Sequence, residues 1–177
     1  MQQIIDFWFS ECSPKHWFQK DAAFDELIRS RFGQLHQQAL QCELFLWRQT
    51  PLGRLAEIIV LDQFSRNIHR DTPLAFAADP LALALAQQAI AAKDEQSLTL
   101  IQRSFLYLPY MHSESQLIHQ QAERFYRKNG LEDNLRFELH HKQIIDRFGR
   151  YPHRNVILGR QSTDDEILFL QQPGSSF

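Results

Sequence analysis

Thr50-Pro51-Leu52-Gly53-Arg54-Leu55-Ala56-Glu57-Ile58-Ile59-Val60-Leu61-Asp62-Gln63-Phe64 is the stretch from which the fold class follows. A threonine before a proline is a helix start: the hydroxyl accepts an orphan backbone N–H, and proline has no N–H to orphan. Apolar residues then fall at Leu52, Leu55, Ala56, Ile59 and Val60, the stripe of an amphipathic helix. The same punctuation recurs at Thr72-Pro73 and Asp79-Pro80, and an earlier stripe runs Phe24, Ile28, Phe32, Leu35, Ala39. Residues 81–92 are leucine and alanine on most sides and read as a central helix. Residues 115–128 form a helix stopped by Asn129-Gly130, and residues 134–148 form another. His112-Ser113-Glu114, after Pro109, reads as a further helix start capped by Ser113 or Glu114. Thr163 with Glu166 is a capping box opening a short helix over 164–170. Residues 173–177 read as a loose tail. Strand signals are nearly absent. The expectation is an all-α fold of about seven stacked antiparallel helices, one domain over 1–177.

Composition agrees. A chain of 177 residues with 44% hydrophobic and 23% charged residues is an ordinary globular balance. Such a chain buries roughly 70% of the surface its unfolded form exposes, so it needs neither disulfide nor metal to fold. The net charge of −2 exerts no general pull on nucleic acid or anionic lipid. Cys12 and Cys42 have no partner at metal-ligand spacing. Residues 1–9 lack the basic start and cleavage site of a signal peptide, and the longest apolar runs, 81–86 and 105–111, fall short of the ~20 residues of a membrane span. A cytoplasmic protein with no membrane anchor is expected.

Two segments echo each other. Asp62-Gln-Phe-Ser-Arg-Asn-Ile-His-Arg70 and Asp146-Arg-Phe-Gly-Arg-Tyr-Pro-His-Arg154 both read D-x-F-x-R-x-x-H-R. A structural explanation is available: phenylalanine seals a helix end and the aspartate pairs with an arginine. The charge pattern supports a functional one. Arg147, Arg150, His153, Arg154 and Arg160 fall within an acid-free stretch, and Arg66, His69 and Arg70 form a smaller group. Guanidinium groups are planar forks for carboxylate and phosphate that stay charged when partly buried. Either an anionic ligand or the carboxylates of Asp62, Glu114 and Asp146 would relieve their mutual repulsion.

Phe7-Trp8-Phe9, Leu61 to Asn67, Met111-His112-Ser113-Glu114 and Arg147 to Asn155 together resemble the bacterial domain-of-unknown-function family numbered 924. The resemblance runs from Ile4 to about Leu170. It implies a tetratricopeptide-repeat-like helical array and supplies no catalytic residue, because the family has no established activity. Ser65 stands where the family often has proline, and His69 where an aromatic is expected, which weakens the symmetry of the echo.

No phosphate loop, Rossmann glycine pattern, HExxH, CxxC or G-x-S-x-G is present. Adjacent His112, Ser113 and Glu114 point different ways and cannot form a triad alone. His119 and Glu123 share a helix face, two potential metal ligands without a third. His141 reads as a hydrogen-bonded core histidine, and Trp8, Trp17 and Trp47 as packing. No metal and no cofactor is expected. The expected site gathers Asp62, Arg66, Asn67, Arg70, His112, Glu114, Arg150, His153, Arg154 and Arg160. Its partner would be an anionic small molecule or an acidic peptide, bound by a helical module. The alternative is an enzyme using His112, Glu114 or His153 for proton transfer. Contact with RNA through residues 147–160 ranks last, because the rest of the surface is not basic.

Overall fold

The computed structural model describes residues 1–176 and is helical throughout, with no strand among them. Helix α1 (Gln2–Asp6) continues through a π turn, Phe7–Glu11. Next come α2 (Pro14–Phe18) and α3 (Ala22–Leu40). Helix α4 begins as Pro51–Ile59, passes through a second π turn, Val60–Phe64, and ends as Ser65–Ile68. Then follow α5 (Asp79–Ala91), α6 (Leu100–Met111), α7 (Gln116–Asn129), α8 (Glu132–Phe148) and α9 (Asp164–Leu170). Among the described residues nine helices stand against the expected seven: α1, α2 and α6 carry no start signal read above, and Thr72-Pro73 opens no α-helix. The aromatic-rich segment over residues 2–18 that holds α1 and α2 has no long apolar period.

The opening stretch folds as its chemistry dictates. Thr50 Oγ1 accepts from the Gly53 N–H at 3.1 Å. Gly53 is required there: a Cβ would lie 1.9 Å from the Trp47 carbonyl oxygen. Residues 55–65 are buried without interruption, so α4 is the central helix. The 81–92 segment is not. It buries one face (Ala82, Leu85, Ala86, Ala89) and exposes Ala84, Gln87 and Gln88. The stretch Pro73–Ala91 has the length and hydropathy to cross a membrane, but it is divided into a 3-10 turn, Pro73–Ala75, and α5. Thr72-Pro73 thus opens only that turn.

Other boundaries fall close to their signals. Gly130 ends α7 in the left-handed region (φ +77°). The Thr163–Glu166 capping box is reciprocal, at 3.3 and 2.8 Å. Pro109 does not precede a helix start. It sits inside α6, and His112 and Ser113 lie in the turn to α7, whose N-cap is Ser115. The tail is docked through residue 175: His140 Nε2 meets the Gly174 carbonyl at 2.7 Å, and Ser175 is buried. Phe177, the last residue of the expected loose tail, lies outside the described residues.

The main core joins α1 and α3 to α7 around Trp8, Phe32, Phe64 and Tyr126. A second small cluster of Ile144, Ile145, Tyr151 and Phe169 ties α8 to the C-terminal segment. Helices α6, α7 and α8 are joined by turns of a few residues, which places consecutive helices antiparallel.

Candidate functional site

The site begins at the π turn of α4. A π turn carries one extra residue, and such bulges recur at functional sites. Side chains take up carbonyls in this turn: Ser65 Oγ donates to Leu61 O at 2.6 Å, and Arg66 Nη1 to Asp62 O at 2.7 Å. His36 from α3 meets Ser65 Oγ at 2.8 Å. Asp62 is buried in this turn, and its carboxylate receives three partners. His112 Nδ1 lies 2.7 Å from Oδ1, Arg66 Nη1 3.3 Å from Oδ1, and Gln63 Nε2 donates to Oδ2. Burial alone would raise the Asp62 pKa, but Arg66 and His112 hold it well below the carboxylate range. His112, by contrast, is pushed below its ordinary range by burial and then by Arg66, so its imidazole is neutral at pH 7. With Asp62 ionised, Nδ1 must carry the His112 proton, which leaves the Nε2 lone pair available.

Arg66 also makes a two-pronged contact with Asp79 at the start of α5, at 3.0 and 3.1 Å. Arg154 reaches the same carboxylate from the 3-10 turn Pro152–Arg154, at a long 3.4 Å. Its guanidinium lies against two rings, 4.6 Å from the centroids of Phe76 and Tyr151. The Arg154 side chain is only 6% exposed, and its buried Nε has no hydrogen-bond partner among the described residues. Burial and Arg66 lower its pKa, yet a guanidinium remains charged at neutral pH. His153, on the same turn, is driven down to about 4 by burial and then by Arg154. Lys20, at the loop before α3, adds a weaker repulsion.

Of the residues the sequence assigns to one site, Asp62, Arg66, His112, His153 and Arg154 come together here. Glu114 and Arg160 lie alongside, held to each other at 2.6 and 2.9 Å. Glu114 also accepts from the Tyr151 backbone N–H at 2.8 Å. Arg160, the Glu114 carboxylate and the Tyr151 backbone therefore clamp the turn that carries Arg154. Arg150 points away, to Glu166 at 2.6 and 2.7 Å, and Glu166 falls to about 2, with the bond to Arg150 the largest cause. A shallow surface depression lined by Arg147, Phe148, Arg150, Asp165 and Glu166 sits at that far end and is no more basic than acidic. Asn67 and Arg70 do not join the site. Both bind Asp25 of α3, at 2.8 Å and at 2.5 and 2.7 Å. Asn67 faces α3 from the last turn of α4 while Arg66 faces α5, and Arg70 lies beyond the C-cap, His69, in the turn that passes α3.

Sequence reasoning missed three contributors. Asp79 reads as a helix cap, yet Ala78 is the N-cap and the Asp79 carboxylate serves two arginines. Phe76 and Tyr151 carry no local signal; only the three-dimensional contact with Arg154 reveals them. His119 does not pair with Glu123. It meets Glu138 at 2.8 Å in a fully buried contact. His141 is a core histidine bonded to Phe137 O at 2.8 Å. Among the described residues no group of three or more His, Cys, Asp or Glu side chains is placed to hold a metal ion.

The echo does not mark equivalent places. Phe64 is fully buried inside a continuous helix, while Phe148 is half-buried at the end of α8 under Arg147. Asp62 is buried, while Asp146 is exposed and paired with Lys142 at 2.5 Å.

The architecture is shared with a solved structure. The solved structure of a protein of unknown function from Agrobacterium tumefaciens, ATU0120, superposes with a TM-score of 0.91 at 39% identity, covering 96% of each chain. No curated protein matches. Residues 4–174 match the model of the bacterial proteins of unknown function called DUF924, and the chain belongs to that family.

Proposed function

We propose that this chain is a cytoplasmic binding module whose ligand presents an acidic group, a peptide carboxylate or the phosphate of a small molecule, to Arg154 and its neighbours. One observation carries this reading: among the described residues, the buried Arg154 has no partner for its Nε and a single long contact to a carboxylate it shares with Arg66. Buried guanidinium donors left unbonded are costly, so the arrangement is incomplete without a further acceptor. Arg66, Asp79 and His112 retain partial exposure and form the side from which a ligand would arrive. The antiparallel run of α6, α7 and α8 supports a tetratricopeptide-repeat-like reading of the scaffold, a fold that presents ligands to helix surfaces.

The test is thermal. Sulfate, acetate and succinate should each be titrated against wild type and Arg154→Met, with chloride at matched ionic strength as the control. Stabilisation of wild type by at least one anion, absent in Arg154→Met, is expected. Wild type unmoved by all three would reject the reading.

A second reading, an enzyme acting on the same acidic ligand, is favoured by the Asp62–His112 contact at 2.7 Å. A buried carboxylate that fixes the Nδ1 tautomer is how a general-base histidine is oriented. Glu114 is the weaker candidate, because Arg160 and the Tyr151 N–H already occupy its oxygens.

A further inference from the structure

The charges around the site are balanced before any ligand arrives. Arg66 and Arg154 face Asp62 and Asp79. The flanking pair Glu114–Arg160 and the outlying pair Glu166–Arg150 are each neutral. An anion entering this space meets donors that are short of acceptors, yet no surplus positive charge among these ion-paired residues; Lys20, the further cation that acts on His153, does so more weakly than Arg154. A singly charged carboxylate can be accommodated by hydrogen bonds alone. A doubly charged group needs a compensating cation, and the protein must supply it locally.

His112 is the group placed to do so. It sits at the end of α6, and the titratable groups facing it come from every neighbouring element: Asp62 and Arg66 from α4, Asp79 from α5, His141 from α8 and His153 from the 3-10 turn. Only Asp62 makes a direct bond to it, through Nδ1. A proton arriving at Nε2 would create an imidazolium already held by a buried carboxylate at 2.7 Å. His153 lies next to Arg154 in the chain, and that guanidinium opposes its protonation. His141 spends Nδ1 on a backbone carbonyl rather than a carboxylate.

We propose that the acidic group bound here is a tetrahedral dianion, the phosphate of a phosphomonoester, and that it binds together with one proton taken up from solvent by His112 Nε2. This rests on the reading of the site as an anion-binding one. The bond formed is Nε2–H, the proton comes from water or buffer, and no covalent bond of the ligand breaks. Arg154, Arg66 and the His112 imidazolium then approach from three elements, which suits a group with oxygens in several directions better than a planar carboxylate. Asp62 acts as the positioning residue. It holds Nδ1–H in place and balances the new charge.

Sulfate is the probe, because it is a full dianion near neutral pH and contributes no proton of its own. Calorimetric titration at pH 7 in buffers of widely different ionisation enthalpy reads proton uptake as the slope of heat against that enthalpy. Wild type should take up about one proton per sulfate, and affinity should fall as pH rises from 6.5 to 8. His112→Gln should bind sulfate more weakly, with the uptake lost while circular dichroism shows the helices intact. Asp62→Asn should lower the uptake without removing Arg154-dependent binding. Sulfate that binds wild type with the same heat in every buffer would overturn this inference and leave the anion site standing. Uptake undiminished in His112→Gln would overturn the assignment to His112. Absence of binding by sulfate and succinate alike would reject the site itself.

Discussion

Asp79 is the residue on which the polar site turns, and replacing it by asparagine isolates its charge. The change keeps the shape and one acceptor oxygen but removes the carboxylate shared by Arg66 (3.0 and 3.1 Å) and Arg154 (3.4 Å). Removing one partner of a fully buried ion pair costs about 3–5 kcal/mol, because the other charge is left unpaired. Two features reduce the figure here. Asp79 is 17% exposed, and Arg66 keeps its 3.3 Å contact with Asp62. A loss of roughly 2–3 kcal/mol is expected. About 0.3–1 kcal/mol of that comes from a lost charge in the first turn of α5 and not from the arginines. A double-mutant cycle separates the parts: Asp79→Asn combined with Arg154→Met should show a coupling of order 1 kcal/mol, because the second change removes the charge that the first orphaned. Urea unfolding at pH 7, followed by far-UV circular dichroism, measures all four variants. The same samples report on ligand binding. With its carboxylate competitor gone, Arg154 should be stabilised more by sulfate in Asp79→Asn than in wild type. A cost below about 1 kcal/mol together with unchanged anion stabilisation would refute the reasoning, since it would mean the two guanidiniums do not depend on this carboxylate.

Other outcomes follow from single contacts. Gly53→Ala should be strongly destabilising, because the added Cβ would meet the Trp47 carbonyl at 1.9 Å and force the 3-10 turn before α4 to move; thermal unfolding of a well-folded, unshifted variant would contradict this. Phe64→Ala should cost about 3–5 kcal/mol and Phe148→Ala clearly less, because only the first is fully buried; equal losses in urea would show that the burial difference does not matter. Stability should also decline as pH falls from about 6.5 toward 4. Burial holds His36 and His153 neutral down to about 4, so below 6.5 the unfolded chain binds protons that the folded one refuses. That contribution is complete above pH 6.5 and lost as pH falls toward the folded value. Unfolding free energies that stay flat across this window would exclude it.

The helices were legible where local chemistry decides them. Thr50-Pro51, Asn129-Gly130 and Thr163 with Glu166 each satisfy or terminate a backbone by short-range bonds, and each sits within a residue of its boundary. Errors arose where tertiary packing overrides the local signal. Pro109 reads as a break, but α6 tolerates the lost bond to the Phe105 carbonyl because it is packed along its length. Residues 81–92 read as central by composition, but burial depends on neighbours, and alanine is cheap to expose. The π turn at Val60–Phe64 left no trace in the apolar period, although it decides where Asp62, Arg66 and Arg70 point. Arg66 lies on the last helical turn and Arg70 beyond the His69 C-cap, so the two, four apart in a motif that looks uniform, reach Asp79 and Asp25 on different helices.

The arginine-rich segment teaches a related point about charge. The absence of acids between residues 147 and 160 reads as an excess of positive charge waiting for a ligand. In three dimensions Glu114 and Glu166 are brought to it from outside, and Asp79 from further still, so Arg150, Arg154 and Arg160 are each paired. What survives is a local shortage of acceptors around Arg154, with a neutral histidine fixed by Asp62 nearby. Counting charges along the chain could find the segment. Only counting donors and acceptors in space separates Arg150 and Arg160, whose forks are filled, from Arg154, whose Nε is not. Arg150→Met should therefore reduce stability by loosening Glu166 and leave sulfate stabilisation intact, whereas Arg154→Met should abolish it. The opposite pattern would move the anion site to the far end of the network.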